Sequence, residues 1–420
     1  MANPTNLPPG SGTGKSGNWR TPDPRVAFML RLGRALHGSG EPTPRIEDTL
    51  EEMAARLELQ AQFFVTPTSI FAAFGPEETQ HTHLIRTSPS GTNLGKLSRV
   101  DGIARQVLRG GLTPAEGMAR LDAIESEPPL MHPWFRVLGF TLASGCAGRF
   151  VGGGLREMGV AAAAGTALGL LSILASRREA LERLYEPISA FVAAIIVSVG
   201  AFALDGISYP RAVLASLVVL FPGMVLTTAM QELTVGHLTS GTTRLFSAVT
   251  TFLSIGFGFA FAAELVSQVA GAPPLLAVDR LPRWTEWAAL VVASVSFGLL
   301  LKAEPRDLGW IVLAAAVGYF TSRLGGRWLG PELGTFAGAF AVGMGSNLYA
   351  RWLDKPEAIT EVPGILILVP GSIGFRGITA MLDNEVVSGV ETGFRVLLIA
   401  SSLVAGLLIA NLVMPKARRT

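Results

Sequence analysis

The chain has 420 residues, a formal net charge of +2 and only 16% charged residues. Soluble domains contain roughly 25% charged residues, so this composition, together with a mean hydropathy of +0.43, argues against a wholly soluble protein. The single cysteine, Cys146, excludes an intramolecular disulfide framework and a cluster of thiolate metal ligands.

The first 130 residues have the composition of a soluble segment. Residues 1–24 are rich in Pro, Gly, Ser and Thr, which predicts a disordered tail. Residues 25–130 are predicted to form a small α/β domain, because segments of helical and strand-like apolar spacing follow one another. Thr113 and Glu116 have the spacing of a capping box. The predicted elements are helices over 26–36 and 46–57, strands over 61–74 and 83–87, and helices over 96–109 and 114–126.

From Trp134 onward the sequence contains ten apolar stretches, separated by breaks rich in Gly and Pro. Because they fill nearly all of the remaining chain, they predict membrane-spanning helices rather than a soluble core. They lie at about 135–152, 158–175, 187–205, 210–230, 245–267, 285–302, 308–323, 331–350, 363–382 and 394–414.

The two halves of this apolar region match at an offset of 148 residues. Four segments match at that offset: Ser198 with Ser346, Pro222-Gly223 with Pro370-Gly371, Ser240-Gly241 with Ser388-Gly389, and Ser254 with Ser402. Chance matching is the alternative, but a single offset serves four separate segments. Five spans per half is an odd number, so the second half must enter the membrane from the opposite side. We therefore predict two inverted five-helix repeats, at 131–268 and 269–420.

The orientation follows from the distribution of Lys and Arg in the short loops. With the α/β domain in the cytoplasm, inside segments hold 12 basic residues and outside segments hold 8. This bias, together with a basic C-terminal tail, predicts that both termini are cytoplasmic.

Each Pro-Gly pair interrupts a stretch that is otherwise long enough to cross a bilayer. Proline removes a backbone donor, and freed backbone groups are tolerated in a bilayer only where protein or a wet cavity covers them. Matching interruptions in two halves indicate the binding site of a transporter. The predicted helix-break residues are Pro222, Gly223, Pro370 and Gly371.

Polar side chains follow both breaks, each set on one helix face. An arginine inside a span is costly, and its guanidinium can hold a carboxylate by two hydrogen bonds, which makes Arg376 the most specific candidate. The alternatives are a structural ion pair of Arg376 with Glu232 or Asp383, or extension to the membrane interface. A carboxylate in a dry site can bind and release a proton. The substrate-binding candidates are Thr228, Gln231, Ser372, Arg376 and Thr379, and the proton-coupling candidates are Glu232 and Asp383.

Other chemistry finds little support in the sequence. His81 and His83 share a strand face but have no third ligand, so no metal is expected. Lys15-Ser16 ends a segment similar to a phosphate-binding loop, but its required first glycine would fall at Pro9, so no nucleotide cofactor is expected. No nucleophile–base pair stands out, and we expect neither enzymatic activity nor nucleic acid as a partner.

Three segments resemble the threonine/serine exporter (ThrE) family of bacterial inner-membrane proteins. They are Leu30–Leu36 with Gly38–Gly40, then Phe221–Leu233 with Ser240-Gly241, and then Val369–Gly377. The resemblance covers about residues 25–415 and implies a cytoplasmic N-terminal domain, ten spans in two related halves, and amino-acid efflux. Split relatives are linked to export of C4-dicarboxylates. The family pattern has Asp at the position of Glu232, so the carboxylate is kept on a side chain one methylene longer.

The combined prediction is a polytopic α-helical membrane protein that exports threonine and serine across the bacterial cytoplasmic membrane, driven by the proton gradient. Its partners would be a small amino-acid or carboxylate substrate and the lipid bilayer; whether it forms a homo-oligomer stays open. The alternatives are a C4-dicarboxylate exporter and, less favoured, a membrane-embedded hydrolase or a scaffold whose soluble domain binds partners.

Overall fold

The computed structural model describes residues 23–88, 91–128, 131–204, 207–271, 281–369, 371–382 and 385–415. The predicted disordered tail lies outside these residues except for its last two positions. Pro370 and Asp383 also lie outside the described residues, so the predictions made for them keep that status.

The N-terminal unit consists of four helices and a three-stranded antiparallel sheet in the order β1-β2-β3. The segment 61–74, predicted as one strand, is a hairpin in which Thr66 pairs with Ser69 across Pro67-Thr68. That prediction missed the turn because apolar residues continue on both sides of it. The elements are α1 Pro24–His37, α2 Thr43–Arg56, β1 Ala61–Thr66, β2 Ser69–Phe74, β3 His81–Arg86, α3 Leu94–Leu108 and α4 Pro114–Ser126.

One apolar core holds this unit together. Leu32, Leu36, Ile46 and Val100 are completely buried in it, so α1, α2 and α3 share a single interior with the sheet. Such burial contributes about 1.5–3 kcal/mol for each large aliphatic side chain. The predicted capping box starts α4, since the Thr113 and Glu116 side chains each accept a hydrogen bond from the other residue's backbone amide.

The rest of the chain is helical, and a helix or a pair of helices lies at each predicted apolar stretch. Among the described residues six helical segments are long and apolar enough to cross a membrane, or seven if the bent pair α9–α10 counts as one. This is the organisation of a multi-pass helical membrane protein. The helices are α5 Pro133–Phe150, α6 Leu155–Ala175, α7 Glu179–Arg183, α8 Tyr185–Ala203, α9 Tyr209–Leu217, α10 Gly223–Thr234, α11 Leu238–Ala270, α12 Trp284–Leu300, α13 Leu308–Leu329, α14 Pro331–Leu353, α15 Ala358–Leu366, α16 Gly371–Leu382 and α17 Val386–Val413.

The longest helices begin earlier than hydropathy predicts. The first turns of α11 are polar, and they lie against the N-terminal unit, where the Ser240 hydroxyl donates to the carbonyl of Val65 over 3.2 Å. Farther along α11, Phe246, Phe257 and Phe261 are strongly exposed. An apolar surface of this kind is suited to contact with lipid rather than water.

Three connections between the membrane helices contact the N-terminal unit. The carbonyl of Leu301, after α12, accepts from the first amide of α3 over 2.9 Å. Asp354, after α14, accepts from Arg105 over 2.8 Å. Glu232, near the end of α10, accepts from Thr43 at the start of α2. These three connections therefore lie on one side of the helical region.

The Asp354 contact makes the docking of the N-terminal unit sensitive to acid. Hydrogen bonds from Arg109, and then Arg105, outweigh partial burial and lower the pKa of Asp354 to about 2. A carboxyl group whose pKa is lowered by folding stabilises the folded state at pH values above its ordinary pKa near 4. This stabilisation is lost as the pH falls toward 2. Because Asp354 is half-exposed, this contribution stays below about 1 kcal/mol.

We expect pepsin to cleave the wild-type N-terminal unit faster as pH falls from 4 to 2, measured against a denatured substrate that corrects for the enzyme's own pH profile. Cleavage of Asp354→Asn should already be faster than that of the wild type at pH 5, because the substitution removes the ion pairs with Arg105 and Arg109. Asparagine tolerates the left-handed backbone at this position, where φ is 52°. Asp48→Asn, on the exposed face of α2, is the control. Equal rates for Asp354→Asn and wild type at pH 5 would contradict the idea.

Candidate functional site

Two interrupted helices cross in the interior. In the first, α9 passes through a short 3-10 turn to Phe221 and Pro222 before α10 starts at Gly223, and the two helices are bent by 56°. Phe221 is extended, with ψ at 129°, as expected of a residue that precedes proline. In the second, α15 ends at Leu366 and α16 begins at Gly371.

The two breaks contact each other reciprocally. A Cβ atom added to Gly223 would overlap Cγ1 of Val369, and one added to Gly371 would lie 2.8 Å from Cβ of Phe221. The 148-residue offset relates position 221 to 369 and position 223 to 371. The two contacts therefore correspond to each other under this offset. Only glycine permits so close an approach of these two segments of the chain.

Neighbouring packing contains further pairs related by the same offset. Ala248 and Val396, which are related by the offset, lie in one buried cluster, and Val225 and Ile373 pack against it as a second related pair. The close approach of Gly241 to Leu233, 2.6 Å for an added Cβ, has its counterpart in Gly389 against Met381. Contacts related by the 148-residue offset therefore extend from the breaks to the helices that follow them.

A cavity of about 230 Å³ lies where the breaks meet. Both half-helices begin at its wall, because Gly223 and Gly371 line it as the first residues of α10 and α16. No side chain caps the start of α10. The free amide groups and positive ends of helices attract anions. The remaining wall is mostly apolar and comes from α5, α9, α12 and α13.

The C-terminal end of a half-helix, α15, reaches the same cavity. Leu366 and Ile367, at the end of α15, line it, so carbonyl groups at a negative helix end also lie near it. Ser372 and Tyr319 are its other polar residues. The cavity is smaller than the ~300–1,000 Å³ typical of drug-sized ligands, which suits a metabolite of amino-acid size.

The residues predicted from the sequence are distributed around this cavity. Ser372 lies on its wall. Thr228 and Gln231 are half-buried on α10, and Arg376 is exposed on α16, with the Thr379 hydroxyl donating to its carbonyl over 3.0 Å. None of these four lines the cavity in this conformation, and their contact with substrate stays a prediction.

Glu232 lies at the boundary with the N-terminal unit and is completely buried. Its Oε1 accepts from the amide and hydroxyl of Thr43 over 3.2 and 3.0 Å, and Arg244 donates to both carboxylate oxygens over 3.1 Å. Because Pro42 provides no side-chain cap for α2, Glu232 supplies the capping anion from the membrane region. Its proposed role in proton coupling is not tested by this geometry.

The start of α15 is tied to the same helix of the N-terminal unit. Arg45 of α2 forms an ion pair with Glu357 over 2.6 Å and with Glu41 over 3.1 Å. Burial opposes the charge on Arg45, but attraction by the Glu357 and Glu41 carboxylates is stronger and raises its pKa. The N-terminal unit therefore holds one end of each broken helix through α2.

A second cavity, of about 410 Å³, adjoins the first and shares Phe150, Tyr319 and Ile367 with it. Glu286 and Arg323 line this outer cavity, and sequence reasoning did not select them. The only available signal was a carboxylate and an arginine near span ends, which usually face headgroups. Among the described residues no group of three or more His, Cys, Asp or Glu side chains is arranged to hold a metal ion.

Two family models match the chain. A family model for the threonine/serine exporter, ThrE, matches residues 27–266, and a second model, described as Threonine/Serine exporter, ThrE, matches residues 286–413. The first alone covers more than half of the chain and spans both the N-terminal unit and the first broken helix. No solved structure matches the chain.

Several curated relatives are fungal proteins named pheromone-regulated membrane protein 10. The protein of Kluyveromyces lactis is 26% identical over 87% of this chain and 40% of its own length. For Eremothecium gossypii the values are 27%, 84% and 49%, and for Saccharomyces cerevisiae they are 26%, 88% and 48%. The chain thus spans about half or less of the length of these relatives. The two family models confirm the family predicted from the sequence: the chain belongs to the threonine/serine exporter (ThrE) family.

Proposed function

We propose that this protein is a secondary-active exporter of small amino acids, with threonine and serine as the first candidates. The observation that carries the proposal is the cavity at the crossing of the two repeat-related helix breaks. Interrupted helices that meet at a cavity are the usual substrate site of secondary transporters. We further propose a bacterial cytoplasmic membrane, cytoplasmic termini and proton drive.

The chemistry of the cavity suits a zwitterion. The amide ends of α10 and α16 would receive the carboxylate, and the carbonyl end of α15 would receive the ammonium group. The hydroxyl of Ser372 could bond to the side-chain hydroxyl of threonine or serine. The apolar remainder of the wall would exclude water and strengthen these interactions.

The proposal includes ten spans arranged as two inverted repeats. Its support is the direction of equivalent segments relative to the N-terminal unit. The first broken helix contacts that unit through Glu232, near the end of α10, whereas the second does so through Glu357, just ahead of α15. Since α10 corresponds to α16 and α9 corresponds to α15, equivalent segments run in opposite directions. An inverted repeat provides the two related states that alternating access needs.

Efflux from loaded proteoliposomes tests the function. We expect labelled L-threonine and L-serine to leave vesicles containing the full chain, faster when a proton gradient is imposed. Efflux of labelled succinate alone would favour the C4-dicarboxylate alternative. Retention of all three substrates would contradict export.

Arg376 tests the substrate clamp predicted from the sequence. A charge-assisted hydrogen bond contributes about 1.5–3 kcal/mol, so Arg376→Ala should weaken L-threonine binding roughly 10- to 100-fold if α16 turns Arg376 inward during transport. Arg376→Lys keeps the charge without the planar fork and should retain part of the affinity. Arg395→Ala, another exposed arginine on the neighbouring helix α17, is the control. Normal efflux by Arg376→Ala at wild-type expression would leave Arg376 without this role.

A further inference from the structure

The outer cavity lies at the end of the helical region that faces away from the N-terminal unit. It is lined by Glu286, near the start of α12, whereas the other end of α12 contacts α3 through Leu301. With a rise of 1.5 Å per residue, about 22 Å of helix separates these two ends. Because the outer cavity shares Tyr319 and Ile367 with the central cavity, a ligand leaving the crossing point toward this end would pass through it.

Glu286 and Arg323 line the outer cavity, and Arg149 binds Glu286. Arg149 is buried and is held by Glu286 over 3.2 Å and by the Thr285 hydroxyl over 2.7 Å. Arg323 is half-exposed and also pairs with Glu286. The three side chains therefore carry a net charge of +1, since one carboxylate faces two guanidinium groups.

The guanidinium of Arg323 has unused donors. Its Nη1 donates to Glu286 and, over 2.7 Å, to the Tyr319 hydroxyl. Nε and Nη2 have no acceptor among the residues that the structure describes. These two groups form one edge of the planar fork, which is the edge that binds a carboxylate by two parallel hydrogen bonds. Glu286 and Tyr319 bind the guanidinium through Nη1 and leave this edge available.

We propose that Arg323 is a carboxylate-binding subsite in the exit path, which receives the substrate after it leaves the central cavity. The inference rests on the export function proposed above. Arg323 is the accessible cation, whereas Arg149 is buried and neutralises Glu286, so the ligand's negative charge would balance the excess positive charge. Glu286 does not need to leave its partners. The shared chemistry is a carboxylate, carried by an amino acid or a dicarboxylate.

Exchange kinetics test this subsite in proteoliposomes. The assay measures exchange of labelled L-threonine on one side of the membrane for L-threonine on the other. When labelled substrate is added on the side that Arg323 faces, the KM of Arg323→Gln should be at least tenfold higher than that of the wild type. When it is added on the opposite side, the two KM values should agree within twofold. Arg323→Lys should lie between the wild type and Arg323→Gln, because the charge remains without the fork. Arg327→Gln removes an exposed arginine one turn along α13 that lines neither cavity, and should match the wild type.

Direct protection of the arginine supplies a readout that does not require transport. The full chain in nanodiscs is treated with phenylglyoxal, and modification of Arg323 and Arg327 is measured by mass spectrometry with and without L-threonine or succinate. We expect ligand to slow modification of Arg323 at least fivefold and to leave Arg327 unchanged. Protection without exchange would support the subsite and overturn the proposed export. Exchange with neither protection nor a changed KM would overturn the subsite alone.

Discussion

Gly223→Ala should abolish export and lower the stability of the folded protein. The added Cβ would overlap Cγ1 of Val369 at the point where the two broken helices touch. Gly223 is buried and Val369 packs against a neighbouring apolar cluster, so we expect the helices to separate to accommodate the methyl group. Overpacking of this kind costs about 1–3 kcal/mol, and the displacement would also change the central cavity. Efflux of L-threonine and thermal unfolding in detergent would measure the two effects.

Reciprocal substitutions decide whether the close contact is the cause. Gly371→Ala should have a similar effect, because its Cβ would lie 2.8 Å from Cβ of Phe221. Val369→Ala removes the Cγ atoms and should partly restore both stability and efflux in the Gly223→Ala background. Gly345→Ala, at a position in α14 with no atom near the added Cβ, should behave as wild type. Normal efflux by Gly223→Ala would show that the breaks need not touch.

Glu232→Ala should release the N-terminal unit from the first broken helix. The substitution leaves the Thr43 amide and Arg244 without their acceptor, and breaking a buried ion pair costs about 3–5 kcal/mol. Arg244 is partly exposed, so we expect the lower end of that range. Hydrogen exchange at the start of α2 should accelerate, and the unit should become sensitive to protease. Glu264→Gln, at an exposed position of α11, is the matched surface control.

Glu232→Gln separates a docking role from a role in proton coupling. Glutamine keeps an acceptor for Thr43 but carries no charge, so a proton carrier would still exchange substrate while losing accumulation driven by pH. If Glu232 only docks the unit, exchange and accumulation should change together. Thr43→Ala should then reproduce the docking defect, because it removes the hydroxyl donor and leaves the carboxylate able to bind a proton. Loss of pH-driven accumulation in Glu232→Gln with normal accumulation in Thr43→Ala would exclude the purely structural role.

The residues of the N-terminal unit show how far local patterns reach. The capping box at Thr113 and Glu116 was predicted correctly because both of its hydrogen bonds are made within one turn of chain. The turn at Pro67-Thr68 was missed because strand-like residues flank it on both sides, and only the pairing of Thr66 with Ser69 reveals the reversal. Periodicity therefore predicted the type of each segment more reliably than its connections.

In the membrane region the sequence by itself determined the helical segments, the 148-residue offset and the family, since hydropathy, proline geometry and short motifs are properties of the chain alone. The tertiary structure decided which residues face the cavity. Arg376 was the most specific candidate by sequence, yet it lies on an exposed face, whereas Arg323 and Glu286 line the outer cavity. The side of a helix that faces a cavity depends on how closely its neighbours approach, and here the reciprocal contacts of Gly223 and Gly371 set that approach. Those contacts join residues 146 and 150 positions apart, so no local pattern contains them.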